Sequence, residues 1–540
     1  MIIPYTSRRS TVHGTHGMVA TSQPLAVAAG LEILRQGGNA ASAAVATAAA
    51  LNVTEPTSTG IGGDMFALYF DAQTRRVTGL NGSGRAPAAL TLEKLTQDGL
   101  GETLPPYHPH TVTVPGACAG WVDLNAQHGN LDMAQVLAPA IRLAEDGFPV
   151  APVTAHFWAG GAKRQLATAP NGHELTIDGR APRVGEIFRN AGLARTFRAV
   201  AEGGKDAFYT GSIAEAIVDV LTSIGGCMTL GDLAAHTSTW VEPISTVYRG
   251  YRVWEIPPNG QGLAALMALN ILEGYDELPP ALSGERLHLQ IEAMRLAFAD
   301  TRWYIADPAT NPAPLDQLLS KAYATERRSL INPARATVDQ QRGSPVAHSD
   351  TVYLSVVDAE GNACSFINSN YMGFGTGIVP QGWGFTLQNR GHNFSVDPEH
   401  PNALAPGKRP YHTIIPSMIT RDADNSLHAS YGVMGGFMQP QGHMQVVMNL
   451  VDDGLDPQES LDQARFCITD GLSGGKVALE DGIALDTMSQ LAQMGHTIAP
   501  LTGHARAMFG RGQIITRDPE TGVLAGGSDP RADGCAMTLG

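Results

Sequence analysis

The sequence predicts a mixed α/β fold, with helices prominent in the first part of the chain and strands in the last. Small apolar residues recur at helical spacing between Ala26 and Leu34, and a second helix is expected from Asn39 or Ala40. From Thr351 onward the residues are β-branched and alternate, which is typical of a strand. The length of 540 residues is enough for one large core or for two domains of ordinary size.

Composition and charge narrow the class of protein. The chain has 36 Lys and Arg against 51 Asp and Glu, a formal net charge of −15, which argues against nucleic-acid and anionic-membrane partners. The first nine residues lack the apolar run of a secretory signal, and no stretch approaches the ~18–20 apolar residues of a membrane span. The five cysteines are scattered and have no C-x-x-C spacing, which is typical of a reduced compartment. We therefore expect a cytoplasmic protein without disulfides.

Two stretches could suggest a bound cofactor or metal. The run Thr59–Phe66 is rich in glycine, but it is neither G-x-G-x-x-G nor a Walker motif, and a tight turn before a strand is the better prediction. The histidines His13, His16, His108 and His110 lie in predicted loops without accompanying carboxylates, so we expect no metal site there. Neither stretch predicts a cofactor.

The chemistry of the chain is expected around Thr351. A polar, irregular run, Gln340–His348, precedes a predicted strand that starts at Thr351, and Glu360-Gly361-Asn362 is a predicted turn into a returning strand. A threonine at a strand start is usually only a β-forming residue. If the Asp350–Thr351 bond is cut, however, Thr351 carries a hydroxyl nucleophile together with a free α-amine that can act as general base.

Sequence blocks from Thr351 onward favour the second interpretation. T-V-Y-L-S-V-V-D-A-E-G-N, G-F-G-T-G-I-V, A-P-G-K-R-P and M-G-G follow in this order. From about His16 to the C-terminus the chain resembles the γ-glutamyltranspeptidase family of N-terminal-nucleophile hydrolases. The resemblance implies a four-layer αββα sandwich and self-cleavage at Asp350–Thr351 without a cofactor. The segments 1–350 and 351–540 would then intertwine as one heterodimeric domain, which could pair further.

The resemblance also implies roles for individual residues. Thr351 Oγ would attack first the Asp350 carbonyl and then a substrate amide, forming an acyl-enzyme. The backbone N–H groups of Gly435 and Gly436 would stabilise the oxyanion, where one donor is worth ~2.7–4 kcal/mol. Ser369 stands where the family has a second hydroxyl that hydrogen-bonds the nucleophile.

Arg85 is the predicted carboxylate-binding residue. It lies in the glycine-rich block Asn81–Pro87, where the family has an arginine that holds the substrate carboxylate. A guanidinium suits this role because it remains charged and offers a bidentate fork. Without the resemblance, an arginine in a turn would be interpreted as solvated.

Five positions depart from the γ-glutamyl pattern. The family holds the α-amine of its donor with an Asn, a Gln or Glu, and an Asp, and it holds the carboxylate with paired serines. The residues at these positions here are Tyr371, Arg390, Asn393, His412 and Thr413. An ammonium beside Arg390 without a counter-ion would cost several kcal/mol. We therefore expect an anionic acyl group without an α-amine, unless Arg390 is a surface residue.

Three hypotheses follow for the function. The first is a self-processing amidohydrolase acting on a small anionic amide, either oxamate-like or glutaryl-like. The second, within the same chemistry, is a γ-glutamyltransferase or glutathione hydrolase. The third is an uncleaved binding homologue, which the joint presence of Thr351, Gly435, Gly436 and Arg85 argues against.

Overall fold

The computed structural model of the chain describes residues 9–337 and 350–540. The predicted loop Gln340–His348 lies outside the described residues. In chain order the helices are α1 Pro24–Arg35, α2 Ala40–Thr54, α3 Leu92–Gln97, α4 Ala117–His128, α5 Met133–Asp146, α6 Pro152–Gly161, α7 Ala191–Tyr209, α8 Ser212–Ser223, α9 Leu230–Ala234, α10 Gly262–Glu273, α11 Gly284–Tyr304, α12 Leu315–Leu318, α13 Lys321–Arg328, α14 Met438–Val451, α15 Pro457–Asp462 and α16 Leu485–Gln493.

The strands in chain order are β1 Val12–Gly14, β2 Gly17–Thr21, β3 Asp64–Asp71, β4 Arg76–Gly82, β5 Phe148–Pro149, β6 Ile187–Phe188, β7 Thr239–Val241, β8 Ile244–Tyr248, β9 Tyr251–Glu255, β10 Asp350–Asp358, β11 Ala363–Tyr371, β12 Ser417–Arg421, β13 Leu427–Met434, β14 Phe466–Ile468, β15 Val477–Glu480, β16 Ile498–Leu501, β17 Arg511–Arg517, β18 Leu524–Ser528 and β19 Cys535–Thr538.

Two seven-stranded antiparallel sheets form the centre of the fold. The first has the order β1-β18-β17-β13-β12-β9-β8, and the second has the order β19-β2-β10-β11-β3-β4-β7. Each sheet combines strands that precede Asp350 with strands that begin at or after it. The two segments that cleavage at Asp350–Thr351 would create therefore share both sheets, and neither has a complete core alone.

The side chains of β10 show how the layers are stacked. Val352, Leu354 and Val356 belong to the core between the second sheet and the helices α1, α2, α4 and α5. Tyr353 and Val357 belong to the core between the two sheets, because successive side chains of a strand point to opposite faces. A third core packs α10, α11 and α14 against the other face of the first sheet. The predicted four-layer αββα sandwich is confirmed.

The Ala-rich helices are confirmed as close-packed core helices. All of α2 is buried, which fits a helix that is apolar on every side. Asn39 caps it, since the Asn39 side chain accepts a hydrogen bond from Ser42 N at 3.2 Å. A Cβ atom at Gly30 of α1 would lie 2.3 Å from Thr47 Oγ1 of α2, so only glycine permits this approach. No helix in the described ranges is both long enough and apolar enough to cross a membrane.

Candidate active site

Thr351 lies at the start of β10, in the middle of the second sheet. Pairing of β10 with β11 changes register between Asp350 and Val352, so Thr351 stands at an irregularity in the ladder. Its Oγ1 donates a hydrogen bond to Ser369 Oγ of β11 at 3.2 Å, and both side chains are fully buried. The predicted pair of hydroxyls is therefore brought together by two neighbouring strands.

The predicted oxyanion glycines form the connection from β13 to α14. Gly435 and Gly436 have φ values of +134° and +61°, conformations that favour glycine. A Cβ atom at Gly435 would also lie 3.2 Å from Gly510 Cα. Gln261 Nε2 donates hydrogen bonds to the carbonyls of Gly436 at 2.7 Å and Thr413 at 2.5 Å, which ties this turn to the neighbouring loop.

Arg390 is buried beside the two hydroxyls, so the alternative that it is a surface residue is wrong. Its side chain is fully inaccessible to solvent. One Nη donates to Ser369 Oγ at 3.2 Å, and the other donates to Thr413 Oγ1 at 2.7 Å. The guanidinium carbon also lies 4.5 Å from the centroid of the Tyr371 ring.

The charge of Arg390 has no direct counter-ion in the described ranges. Its Nε has no hydrogen-bond partner there, and its partners at Nη are neutral hydroxyls. Burial lowers the pKa of Arg390 to about 10, although Asp64 acts in the opposite direction. The group is still a cation at neutral pH, and a substrate carboxylate would stabilise it.

Tyr371 and Asn393 border Arg390 on one side. Tyr371 Oη donates to Asn393 Oδ1 at 2.6 Å, while Asn393 Nδ2 is buried without a partner among the described residues. Tyr371 has a φ of +81°, which is unusual for a bulky residue. Its backbone N–H donates to Ser369 Oγ at 2.8 Å. The structure thus brings Tyr371, Arg390 and Asn393 together, as the resemblance to the family implies.

His412 contacts the buried carboxylate of Asp64, a residue that sequence reasoning missed. His412 Nε2 lies 3.0 Å from Asp64 Oδ2. Asp64 Oδ1 accepts hydrogen bonds from the backbone N–H groups of Gly84 at 2.9 Å and Gly116 at 3.0 Å. Burial, and then the charge of Arg390, lower the pKa of His412 to about 3, so a neutral imidazole donates its Nε2–H to Asp64. The signal was available, because an Asp in the block 59–66, which has three glycines, needs such donors when it is buried.

Arg85 lies in a different group of contacts. Its Nη1 approaches the Thr237 carbonyl at 3.5 Å, and Arg409 Nη2 approaches the same oxygen at 3.3 Å. Burial, and then the charge of Arg85, lower the pKa of Arg409 to about 10. No hydrogen bond within the described ranges joins Arg85 to Thr351, Ser369 or Arg390. The structure therefore groups Arg85 with a second arginine.

A cleft of about 780 Å³ reaches the oxyanion turn. Its lining includes the buried residues Met372 and Phe437 and the half-buried Gly435. Lys163 and Arg164, which are exposed, also line it. The rings of His156 and His504, which also line it, stack with centroids 4.0 Å apart. The cleft can hold a substrate group larger than ammonia next to the predicted oxyanion position.

The structure corrects the interpretation of one histidine loop. His110 is buried, and its Nε2 lies 2.7 Å from Asp98 Oδ2. The expectation that this loop has no accompanying carboxylate is therefore wrong, because Asp98, at the end of α3, folds back onto it. One carboxylate and one histidine still supply too few ligands for a typical zinc site.

One group of possible metal ligands exists elsewhere in the described ranges. His288, Glu292 and His496 offer ligand atoms within 4.8 Å of one another. His288 Nδ1 and His496 Nε2 already share a hydrogen bond of 2.8 Å, and Arg295 Nε lies 3.6 Å from Glu292 Oε1. A buried guanidinium at that distance opposes a divalent cation. We therefore assign no metal to this group.

Comparison with known proteins agrees with this fold and this arrangement of residues. The family model described as gamma-glutamyltranspeptidase matches residues 26–539. The chain therefore belongs to the gamma-glutamyltranspeptidase family, whose fold is that of the N-terminal-nucleophile hydrolases. This family consists of amide-hydrolysing and acyl-transferring enzymes, and the chain is an enzyme of this type.

Individual relatives cover almost the whole chain. A glutathione hydrolase-like YwrD proenzyme of Bacillus subtilis (strain 168) is 37% identical over 535 residues, covering 98% of this chain and 99% of the relative. An oxamate amidohydrolase proenzyme of Klebsiella pneumoniae is 35% identical over 537 residues, covering 97% and 98%. The crystal structure of a cephalosporin acylase from Bacillus halodurans matches with a TM-score of 0.93 and 50% identity, covering 100% and 98%.

Proposed function

We propose that the chain is a self-processing N-terminal-threonine amidohydrolase that hydrolyses amides of a small anionic acyl group. The observation that carries this proposal is the position of Arg390. This buried cation bonds Ser369, and Ser369 bonds the Thr351 nucleophile. Arg390 has no direct counter-ion among the described residues. The proenzyme names of two relatives support cleavage into two subunits that remain associated.

Processing begins with Thr351. Its Oγ attacks the Asp350 carbonyl, the C–N bond breaks, and the chain is held by an ester while the nitrogen becomes the Thr351 amine. Water then opens the ester, which leaves a carboxylate at residue 350 and a free hydroxyl and α-amine at Thr351. The shared sheets would hold the two segments together after the cut.

Hydrolysis of the substrate uses the same hydroxyl. The α-amine of Thr351 takes the proton of Oγ as Oγ attacks the amide carbonyl, and the N–H groups of Gly435 and Gly436 stabilise the oxyanion. The proton then passes to the leaving amine as the C–N bond breaks. Water attacks the acyl-enzyme in the second half of the reaction and releases the acid.

Arg390 selects the acyl group. A carboxylate on the acyl group can pair with its guanidinium, while Thr413 and Tyr371 keep the guanidinium in place. A γ-glutamyl donor would bring an ammonium to a site with a cation at Arg390 and a neutral amide at Asn393. Because this ammonium would be repelled by Arg390, γ-glutamyl transfer is the second candidate function rather than the first.

The cleft at Gly435 indicates how large the amine half of the substrate can be. Oxamate releases only ammonia, which needs a small fraction of about 780 Å³. The volume of the cleft and the apolar residues that line it fit a larger amine, which favours a glutaryl-like amide over oxamate itself. A panel of oxamate, glutaryl anilide and γ-glutamyl anilide, assayed on the processed enzyme, separates these substrates. The proposal predicts that glutaryl anilide has the highest kcat/KM, and a highest value for γ-glutamyl anilide would contradict it.

Arg85 stays a predicted carboxylate-binding residue, now together with Arg409. We expect Arg85→Lys to lower kcat/KM for an acidic substrate by about tenfold, because lysine keeps the charge but loses the fork. Self-cleavage should proceed normally, since no substrate carboxylate takes part in it. The measurement is steady-state kinetics together with a denaturing gel, and Arg76→Lys, an exposed arginine paired with Glu242, is the matched control. Unchanged kinetics in Arg85→Lys would remove Arg85 from the site.

A further inference from the structure

We infer that Gln439 is a further catalytic residue, which donates a hydrogen bond to the Thr351 nucleophile both during self-cleavage and during release of the acyl group. This inference rests on the proposed function. Gln439 lies in the first turn of α14 and is fully buried. Its Nε2 lies 3.5 Å from Thr351 Oγ1, so it contacts the atom that makes and breaks the acyl bond.

The orientation of the Gln439 amide is fixed by its second contact. Gln439 Oε1 accepts a hydrogen bond from the backbone N–H of Ile415 at 2.9 Å. A backbone N–H can only donate, so the oxygen end of the amide must face Ile415 and the NH₂ end must face Thr351. The backbone N–H of Gln439 also donates to the Gly436 carbonyl at 3.1 Å, which links the residue to the oxyanion turn.

Two contacts with described residues constrain Thr351 Oγ1. The hydroxyl donates a hydrogen bond to Ser369 Oγ and accepts one from Gln439 Nε2. Gln439 thereby engages one lone pair of Oγ1, and no other residue in the described ranges donates to the second lone pair, which can attack the carbonyl carbon.

The same N–H group acts later in the cycle. When water attacks the acyl-enzyme, the bond from the acyl carbon to Thr351 Oγ breaks, and the electron pair of that bond returns to Oγ. An N–H donor directed at Oγ stabilises the negative charge that develops there, as the oxyanion donors do at the other oxygen. Opening of the ester formed during self-cleavage breaks the same type of bond, so the effect should appear in both reactions.

The test compares two glutamines of one helix. Gln439→Leu removes the donor, whereas Gln445→Leu is a matched control, because Gln445 is buried in α14 but bonds the backbone of Phe466. We expect Gln439→Leu to lengthen the half-time of self-cleavage by about tenfold and to lower kcat by a similar factor with an almost unchanged KM. Gln445→Leu should lower the melting temperature and leave both rates at wild-type values.

A second variant separates catalysis from folding. Gln439→Glu keeps an oxygen for Ile415 N–H but has no N–H for Thr351 once it is ionised, so it should fold and still be slow. Intact-mass time courses give the half-time of cleavage, and single-turnover assays give the rate of acyl release. Wild-type rates in both Gln439 variants, or equal slowing in Gln445→Leu, would overturn the inference.

The outcome also distinguishes this inference from the proposed function. If the wild type is cut at Thr351 and the Gln439 variants are not slowed, only the role of Gln439 fails. If the wild type is not cut at Thr351, both fail, because no free threonine hydroxyl and amine are formed.

Discussion

Thr351→Ala should leave a single uncut chain with no measurable amidase activity. The variant has no hydroxyl to attack the Asp350 carbonyl, so the ester cannot form and the α-amine of residue 351 is never released. We expect one band on a denaturing gel where the wild type gives two of unequal size. Activity should fall by at least about a thousandfold, because removing a nucleophile abolishes the acyl-enzyme route.

Two further variants test whether the loss of cleavage is specific to the hydroxyl of Thr351. Thr351→Ser keeps a hydroxyl at the same position and should still be cleaved. Thr420→Ala removes a buried threonine hydroxyl from the other sheet, where it bonds Trp254 and Asn425, and it should be cleaved like the wild type. If Thr351→Ala were cut like the wild type, another residue would be the nucleophile.

An acyl donor without an α-amine should react about a hundredfold faster than its γ-glutamyl counterpart. The ammonium of a γ-glutamyl group would be desolvated beside Arg390, where Asn393 provides no negative charge, and a penalty of ~3 kcal/mol corresponds to this ratio. The measurement is kcat/KM for glutaryl anilide and γ-glutamyl anilide on the same processed enzyme, since the two compounds share a leaving group and differ only in the amine.

Arg390→Gln should narrow that ratio toward one. The substitution removes the repulsion and also the partner of the acyl carboxylate, so the glutaryl compound should lose more than the γ-glutamyl compound gains. Arg286→Gln, which changes another buried arginine in α11, should leave the ratio unchanged. A ratio that stayed the same in Arg390→Gln would mean that Arg390 does not contact the acyl group.

Local patterns in the sequence predicted the elements around Thr351. The strand from Thr351, the turn at Glu360–Asn362 and the returning strand correspond to β10 and β11, because alternation and a turn are properties of neighbouring residues. The four layers could not be derived in this way. Their order depends on strands far apart in the chain, such as β2 beside β10, and it was expected only because the sequence blocks resembled a family.

The candidate site could be predicted only in part from the sequence, because several of its contacts join residues that are far apart in the chain. The pairing of Thr351 with Ser369 was implied by the family resemblance, and the adjacent strands β10 and β11 bring the two hydroxyls together. The contact of His412 with Asp64 joins residues 348 positions apart, and that of Gln439 with Thr351 joins residues 88 positions apart. The block 59–66 suggests that Asp64 needs hydrogen-bond donors, but the local sequence does not indicate which distant residues make these contacts. The sequence also could not decide whether Arg390 is buried, because it shows a cation but not the residues that surround it in space.

The most direct test of the central claim is the intact mass of the purified wild-type protein after self-cleavage is complete. The account predicts two masses, which correspond to residues 1–350 and 351–540, so that the smaller fragment begins with Thr351. A single mass equal to the whole chain, or a fragment that begins at any other residue, would contradict the assignment of Thr351 as an N-terminal nucleophile.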